Sequence, residues 1–204
     1  DEARKLYDVE SIRSRIEKFN LRNPFIKKGF AMMPVCFGIS FTKTFLNQGS
    51  SLVHIYTDGS VSVTTGGIEM GQGVSSNMIA ICSRVFGISA DRIKCNSTNT
   101  TRIANISPSA ASSTTDLNGN ATIVACREIL EGMKQVAAKE LGCQSSCISI
   151  KNGLVLVETK PTKLTWEQLV LKTYFARVQL MAHGFYTPPR LHYDPIKLSL
   201  IHIS

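Results

Sequence analysis

An α+β fold follows from three features of the sequence. Two tight turn signals, Asp58-Gly59 and Asn152-Gly153, each join two apolar runs and so mark β-hairpins. Amphipathic stretches with recognisable start and stop signals mark helices. Strands and helices are interspersed along the chain, which points to mixed sheets with packed helices.

The elements follow in order. From Asp1 to Asn23 the residues Leu6, Val9, Ile12, Ile16 and Phe19 recur at helical spacing, and Asn23-Pro24 ends the helix. Phe30 to Phe41 reads as an apolar, strand-like stretch. The first hairpin pairs Leu52–Tyr56 with Val61–Thr65, and the alternation SVSVTT predicts a sheet with one buried face. Val74–Phe86 is a helix with Gly87 at its C-terminal cap, and Ile93–Ser97 is a strand. A polar loop, Thr98 to Asp116, leads into a longer helix that ends near Leu141-Gly142, and Asp116 is a candidate cap. Ile129, Leu130, Met133, Val136, Ala137 and Leu141 keep one face of that helix. Beyond the second hairpin, Thr165 and Gln168 form a capping box for a helix over Trp166–Ala176. A last strand, Gln179–Tyr186, stops at Pro188-Pro189.

This divides the chain into a linking helix (1–26), a main domain (27–197) and a tail (198–204). The tail, LSLIHIS, resembles the conceptual translation of a sequencing adapter and reads as non-native; a short native strand is the competing reading.

With 204 residues, 43% of them hydrophobic and 19% charged, the chain can bury a real core. The longest nearly charge-free apolar run, Gly29 to Phe41, is short of the roughly 20 residues a membrane span needs. The start is charged and polar, unlike a signal peptide, and a cytoplasmic setting without a membrane partner is expected. A formal net charge of +8 raises nucleic acid as a partner, but the basic residues are scattered and no aromatic–basic interleaving accompanies them. Cys36, Cys82, Cys95, Cys126, Cys143 and Cys147 lack metal-type pairing and read as reduced, buried thiols.

Two segments carry chemistry. Gly66–Gly73, GGIEMGQG, places four glycines between a hairpin and a helix, where backbone N–H groups can surround an anion at the positive end of the helix dipole. It lacks the Gly-Lys-Ser/Thr of a P-loop, and Ser76 stands where a dinucleotide fingerprint needs its third glycine. Gln72, between two glycines, can offer amide donors and acceptors to a flat heterocycle. The second segment is Asn105–Asn118, NISPSAASSTTDLN, whose hydroxyls suit phosphate or ring nitrogens and whose Ala110-Ala111 permits close approach of a bulky centre. Each segment alone is equally consistent with a ligand-free turn.

Together with FGISFT, these blocks resemble the molybdenum-cofactor domain of the xanthine dehydrogenase and aldehyde oxidase family, over about Lys27 to Asp194. The pattern lies nearest the xanthine dehydrogenase branch. The resemblance implies that Gly67, Met70, Gly71, Gln72 and Gly73, with Ser112 and Thr114, contact the molybdopterin or its phosphate. It implies that Phe41 and Thr42 flank a purine, that Ala110 and Ala111 lie beside metal and substrate, and that the Ala111 backbone adjoins the molybdenum. Ser109 stands where the family most often has threonine, and it keeps the hydroxyl. The implied activity is hydroxylation of hypoxanthine and xanthine to urate, with 2Fe-2S clusters and FAD in other domains or subunits of a homo-oligomeric parent. The family's general-base glutamate belongs to a Gly-Glu-Pro-Pro-like segment that does not occur in these residues, so no catalytic residue is assigned. Another molybdenum hydroxylase acting on aldehydes or N-heterocycles is the alternative enzyme, and a non-catalytic module for a phosphorylated ligand is the alternative of a different class.

Overall fold

A computed structural model describes residues 2–33, 38–189, 191–197 and 199–202. The chain forms two compact units, Asp1–Phe37 and Gly38–Ser204.

The first unit holds α1 (Glu2–Leu6) and α2 (Val9–Arg22) instead of one continuous helix. Asp8 causes the break: it adopts φ 45° and its carboxylate accepts from the Ser11 N–H, the local side-chain bond that competes with helix continuation. Beyond α2, the Asn20 side chain binds the Lys28 backbone at both N–H and carbonyl, and the Lys28 ammonium lies 4.1 Å from the Phe19 ring centre. The strand expected from Phe30 does not form over Phe30–Met33 or Gly38–Phe41, which hydrogen-bond into no sheet; residues 34–37 lie outside the described residues. Apolar content there has no partner strand to pair with, and Met33 is 81% exposed.

The second unit is built on β1 (Gly49–Ile55), β2 (Val61–Thr65), α3 (Val74–Phe86), β3 (Ile93–Cys95) and α4 (Thr114–Leu141). It continues with β4 (Ile148–Lys151), β5 (Leu154–Val157), β6 (Lys160–Thr165), α5 (Trp166–Phe175), β7 (Met181–Tyr186), β8 (Leu191–Asp194) and β9 (Ser199–His202). The principal sheet has the order β3-β2-β1-β7, antiparallel except for the parallel β2–β3 pair joined through α3. A second sheet runs β4-β5-β6, and β8 pairs with β9.

Both hairpin turns form as their sequences predict. Asp58 accepts from the Ser60 N–H and hydroxyl, while Gly59 takes φ 84° and Gly153 φ 74°. Gly87 ends α3 in the left-handed conformation, as expected, and sits so close to β4 that a Cβ there would lie 2.1 Å from the Ile150 carbonyl oxygen. The reciprocal Thr165–Gln168 capping box starts α5. Strand β6, which follows a left-handed Glu158, was not read from the sequence because Lys160–Thr165 lacks a clear apolar alternation.

Strand β2 corrects the one-buried-face reading: all five residues are buried. On the second face the Ser62 hydroxyl accepts from the Asn96 amide, so a polar residue is buried with its partner supplied. The core joins Val53, Val63, Met78, Phe86, Ile129, Met133 and Trp166. The Trp166 indole N–H donates to the Gly59 carbonyl at 2.8 Å, tying α5 to the first hairpin. Among the described residues Cys82, Cys95, Cys126, Cys143 and Cys147 are free thiols; Cys82 and Cys126 touch at Sγ–Sγ 3.7 Å between α3 and α4. That contact and burial raise the Cys126 pKa.

Helix α4 crosses β1 and β7 at backbone contact distance. A Cβ on Gly184 would lie 1.9 Å from the Ala121 carbonyl oxygen, and one on Gly49 would lie 2.5 Å from that of Leu117. Thr122, on the same helix face, shares a 2.9 Å hydrogen bond with the Ser51 hydroxyl. Gly184→Ala is expected to destabilise the protein by about 1–3 kcal/mol, since the atom it meets is backbone. Gly29→Ala, where nothing lies within 4 Å, is expected to stay within about 0.5 kcal/mol. Urea midpoints of the two variants check both.

Candidate functional site

The sequence blocks meet at the amino-terminal end of α4. The Ile68 N–H donates to the Ser109 hydroxyl at 2.7 Å, across 41 residues of sequence. The Ser40 N–H donates to the Ala111 carbonyl at 3.1 Å, and the Asn77 amide of α3 donates to the Thr115 hydroxyl at 3.1 Å. Ser107 is 9% exposed and bonds through its hydroxyl to the Leu46 carbonyl, closing the 98–113 loop onto the segment before β1. The glycine loop therefore touches the serine-rich loop, which in turn touches the segment that follows Gly38.

Close packing explains the glycines at the loop's start. A Cβ on Gly66 would lie 2.4 Å from Ile106 Cγ2, and one on Gly67 would lie 2.8 Å from Thr114 Cγ2. Gly71 (φ 95°) and Gly73 (φ 81°) answer a different demand, since no Cβ clash waits at either but both adopt left-handed backbone. Gly73 is the N-cap of α3 and has no side chain with which to cap it.

The missing cap comes from Glu69. Its Oε1 accepts from the N–H groups of Gly71 (2.9 Å) and Gly73 (3.0 Å), and its Oε2 from that of Ser75 (2.9 Å). The bonds from Ser75 and Gly73 hold its pKa below the usual glutamate range. The backbone donors that the sequence offered to an external anion are thus bound to a carboxylate of the loop itself. Gln72 also turns inward: its Oε1 accepts from the Met70 N–H at 2.6 Å and its Nε2 donates to the Ile68 carbonyl at 2.7 Å. Gln72 shapes the loop first and keeps one amide hydrogen and one carbonyl lone pair for anything else. The Met70 side chain is 66% exposed.

On the facing loop Ala111 (φ 53°) and Ser112 (φ 54°) are consecutive left-handed residues without being glycine. Each such residue costs about 1–3 kcal/mol, and strain of this kind gathers at functional sites. The α4 N-cap is Ser113, not Asp116, which lies within the first turn. The Ser113 hydroxyl points backwards and donates to the Ala110 carbonyl, so it does not cap α4. One turn inside α4, Asn118 is 3% exposed and packs against Gly67; its Nδ2 donates to the Thr114 carbonyl. Asn118 Oδ1 is buried and has no partner among the described residues.

Phe41 is half-buried and Thr42 exposed. The Asn47 side chain clamps the Phe41 backbone, accepting from its N–H at 2.8 Å and donating to its carbonyl at 2.9 Å. Phe37, the first residue of FGISFT, lies outside the described residues. A cavity of about 340 Å³ is lined by Gly67, Ile68, Glu69, Ser75, Cys95 and Asn96 among others. Sequence reading missed Asn47, Asn118 and the capping role of Glu69. Only the last had a local signal, a carboxylate two and four residues before glycines that need fixed N–H directions.

Among the described residues no group of acidic, histidine and cysteine side chains could hold a metal ion, and no helix is long and apolar enough to cross a membrane. A family model described as a molybdopterin cofactor-binding domain matches residues 2–198. Among curated proteins the chain is similar to xanthine dehydrogenase/oxidase of Mus musculus, at 39% identity over 194 residues, covering 95% of this chain and 13% of that protein. It is similar to xanthine dehydrogenase 1 of Arabidopsis thaliana at 38% identity over 182 residues, 89% of this chain and 12% of that protein. Among solved structures it is similar to a CO dehydrogenase from Oligotropha carboxidovorans (TM-score 0.61, 28% identity, 69% of this chain and 18% of that one). It also has the fold of part of quinoline 2-oxidoreductase from Pseudomonas putida 86 (TM-score 0.69, 22% identity, 91% of this chain and 25% of that one).

The Glu69 hydrogen bonds set a pH dependence. A carboxylate whose folded pKa is lowered contributes stability above the ordinary glutamate range and loses it as pH falls through the lowered value. Glu69→Gln is expected to be less stable than the parent near neutral pH and to converge with it on acidification. Urea unfolding of both proteins from about pH 7 to about pH 3 measures the difference.

Proposed function

The chain belongs to the molybdopterin cofactor-binding domain family, and on that premise we propose that it forms one wall of the cofactor and substrate site of a xanthine dehydrogenase-type enzyme. The convergence of the glycine loop, the serine-rich loop and the Ser40–Phe41 segment carries this reading.

The residues fit the cofactor. Gly66 and Gly67 bring the loop backbone flush against Ile106 and Thr114. The left-handed pair Ala111–Ser112 holds backbone and hydroxyl groups in a strained pose that packing alone does not require. Asn118, whose Nδ2 lies against Gly67, has a buried Oδ1 acceptor with no partner among the described residues, and a pterin is rich in N–H donors.

When bound, the cofactor supplies the redox centre at which water hydroxylates an electron-poor carbon. In this reading Gly67, Met70, Gly71, Gln72 and Gly73 would hold the pterin, Ser112 and Thr114 would supply hydroxyls to it or its phosphate, and the Ala111 backbone would be the group that meets the molybdenum. Ala110 and Ala111 leave room for the substrate. Phe41, with its backbone pinned by Asn47, is an aromatic wall for a purine, and Thr42 offers it a hydroxyl. The chain holds no residue assigned as general base. Because it spans 12–13% of its curated relatives, we assign the base, the 2Fe-2S clusters and the FAD to other parts of a larger assembly. We also propose 1–26 as a linking segment, 27–197 as the cofactor-binding part and 198–204 as a non-native tail, the pairing of β9 with β8 being what the competing reading, a short native strand, would give.

The identity to CO dehydrogenase gives the second reading, another molybdenum hydroxylase with a different substrate. Steady-state kinetics of the complete enzyme on xanthine, aldehydes and N-heterocycles separate the two; preference for a non-purine overturns the first. Metal analysis of the complete enzyme tests both, and absence of molybdenum after correct maturation would favour a non-catalytic ligand module. Gly67→Val, whose side chain meets Thr114, is expected to lower molybdenum content strongly. The purified chain alone is expected to form no urate.

A further inference from the structure

Glu69 gathers three backbone donors in the loop cluster. Glycine-rich loops at helix amino termini serve anions because their N–H groups converge without side-chain obstruction. Here they converge on a side chain of the loop itself. The Gly71, Gly73 and Ser75 N–H groups all point at one carboxylate at 2.9–3.0 Å. The remaining bonded donors are also satisfied from within the protein: Gly67 by the Thr65 hydroxyl, Ile68 by Ser109 and Met70 by Gln72.

Two physical consequences follow. The positive end of the α3 dipole is neutralised by a fixed negative charge, so a phosphate brought to this loop meets repulsion in place of attraction. The left-handed glycines are also held without any ligand, because the carboxylate spans both of them and the first turn of α3. A loop held only by an incoming ligand would have its ordering cost subtracted from affinity, whereas this loop is already ordered.

We infer that Glu69 is a positioning residue: an internal anion that presets the Gly66–Gly73 loop and keeps external anions off the α3 amino terminus, leaving the loop to contact an uncharged part of its ligand. The inference rests on the preceding cofactor reading for what that ligand is, but the state of the loop itself can be tested without the cofactor.

The test is chemical rescue of the full 204-residue chain, read by amide resonances and thermal unfolding. Glu69→Ala removes the carboxylate and frees its three donors. Formate, the smallest carboxylate, is then expected to shift the Gly71, Gly73 and Ser75 amide signals saturably in the variant and leave them unmoved in the parent. The variant is expected to melt about 2–4 °C lower, with formate recovering most of the loss and an equal concentration of chloride recovering none. Formate-dependent shifts of these amides in the parent would show the donors to be free and would overturn the inference. Absence of any response in the variant would overturn it equally. Should Glu69→Ala not fold, Glu69→Gln takes its place; its amide keeps one acceptor oxygen and sets an NH2 donor where the second carboxylate oxygen stood, so at least one N–H group loses its acceptor, and the same two outcomes decide. In the complete enzyme, Glu69→Ala is expected to carry several-fold less molybdopterin, partly restored when formate is present during cofactor insertion; unchanged content would refute the positioning role. Absence of molybdopterin from the unmodified enzyme would instead refute the cofactor reading and leave the loop result standing.

Discussion

The approach of α4 to β1 and β7 is the constraint on which the rest depends. A helix normally rides on a sheet with a layer of side chains between them. Gly49 and Gly184 remove that layer where the helix crosses, and Ala121 and Ala125 keep its own face small. The helix backbone then meets the strand backbone directly. This fixes the amino terminus of α4 in position as well as angle, and with it Ala111, Ser112 and Thr114. Were the helix one side chain further away, Gly67 would no longer reach Thr114 and Ile68 would lose Ser109.

The two helix amino termini that border the cluster are electrostatically unlike. At α3 the Glu69 carboxylate closes the terminus, and its lowered pKa extends its charge below the ordinary glutamate range. At α4 the N-cap hydroxyl turns backwards to Ala110, and the preceding two residues are strained. One terminus has spent its dipole on its own chain; the other has not spent it on its cap residue.

Features set by neighbouring residues were legible in the sequence. The Asp58-Gly59 and Asn152-Gly153 turns, the Gly87 cap and the Thr165–Gln168 box each need only a few consecutive side chains. Features set by distant partners were not. The burial of both faces of β2 depends on Asn96, which reaches Ser62 from another strand's end. The apolar residues from Phe30 suggested a strand, but a strand also needs an edge to join, which composition does not supply. Asp8 lies inside the stretch that carries the helical pattern and still interrupts it, because its left-handed backbone and its bond from the Ser11 N–H start a new helix there. At the site, the glycine loop was visible as a place where N–H groups gather, while the Glu69 carboxylate was not read as the group that satisfies them.

The register of β1 has a consequence for how the protein is made. Its partners are Val61–Thr65 on one side and Met181–Tyr186 on the other, so a central strand pairs with its immediate neighbour and with residues more than a hundred positions downstream. The hairpin can close early, but Gly184 must leave the ribosome before α4 has both strands to lie on. Such long-range pairing delays folding and leaves intermediate chains with an open sheet edge. During synthesis the loops at the head of α4 therefore gain their final support last, after nearly the whole unit has been translated.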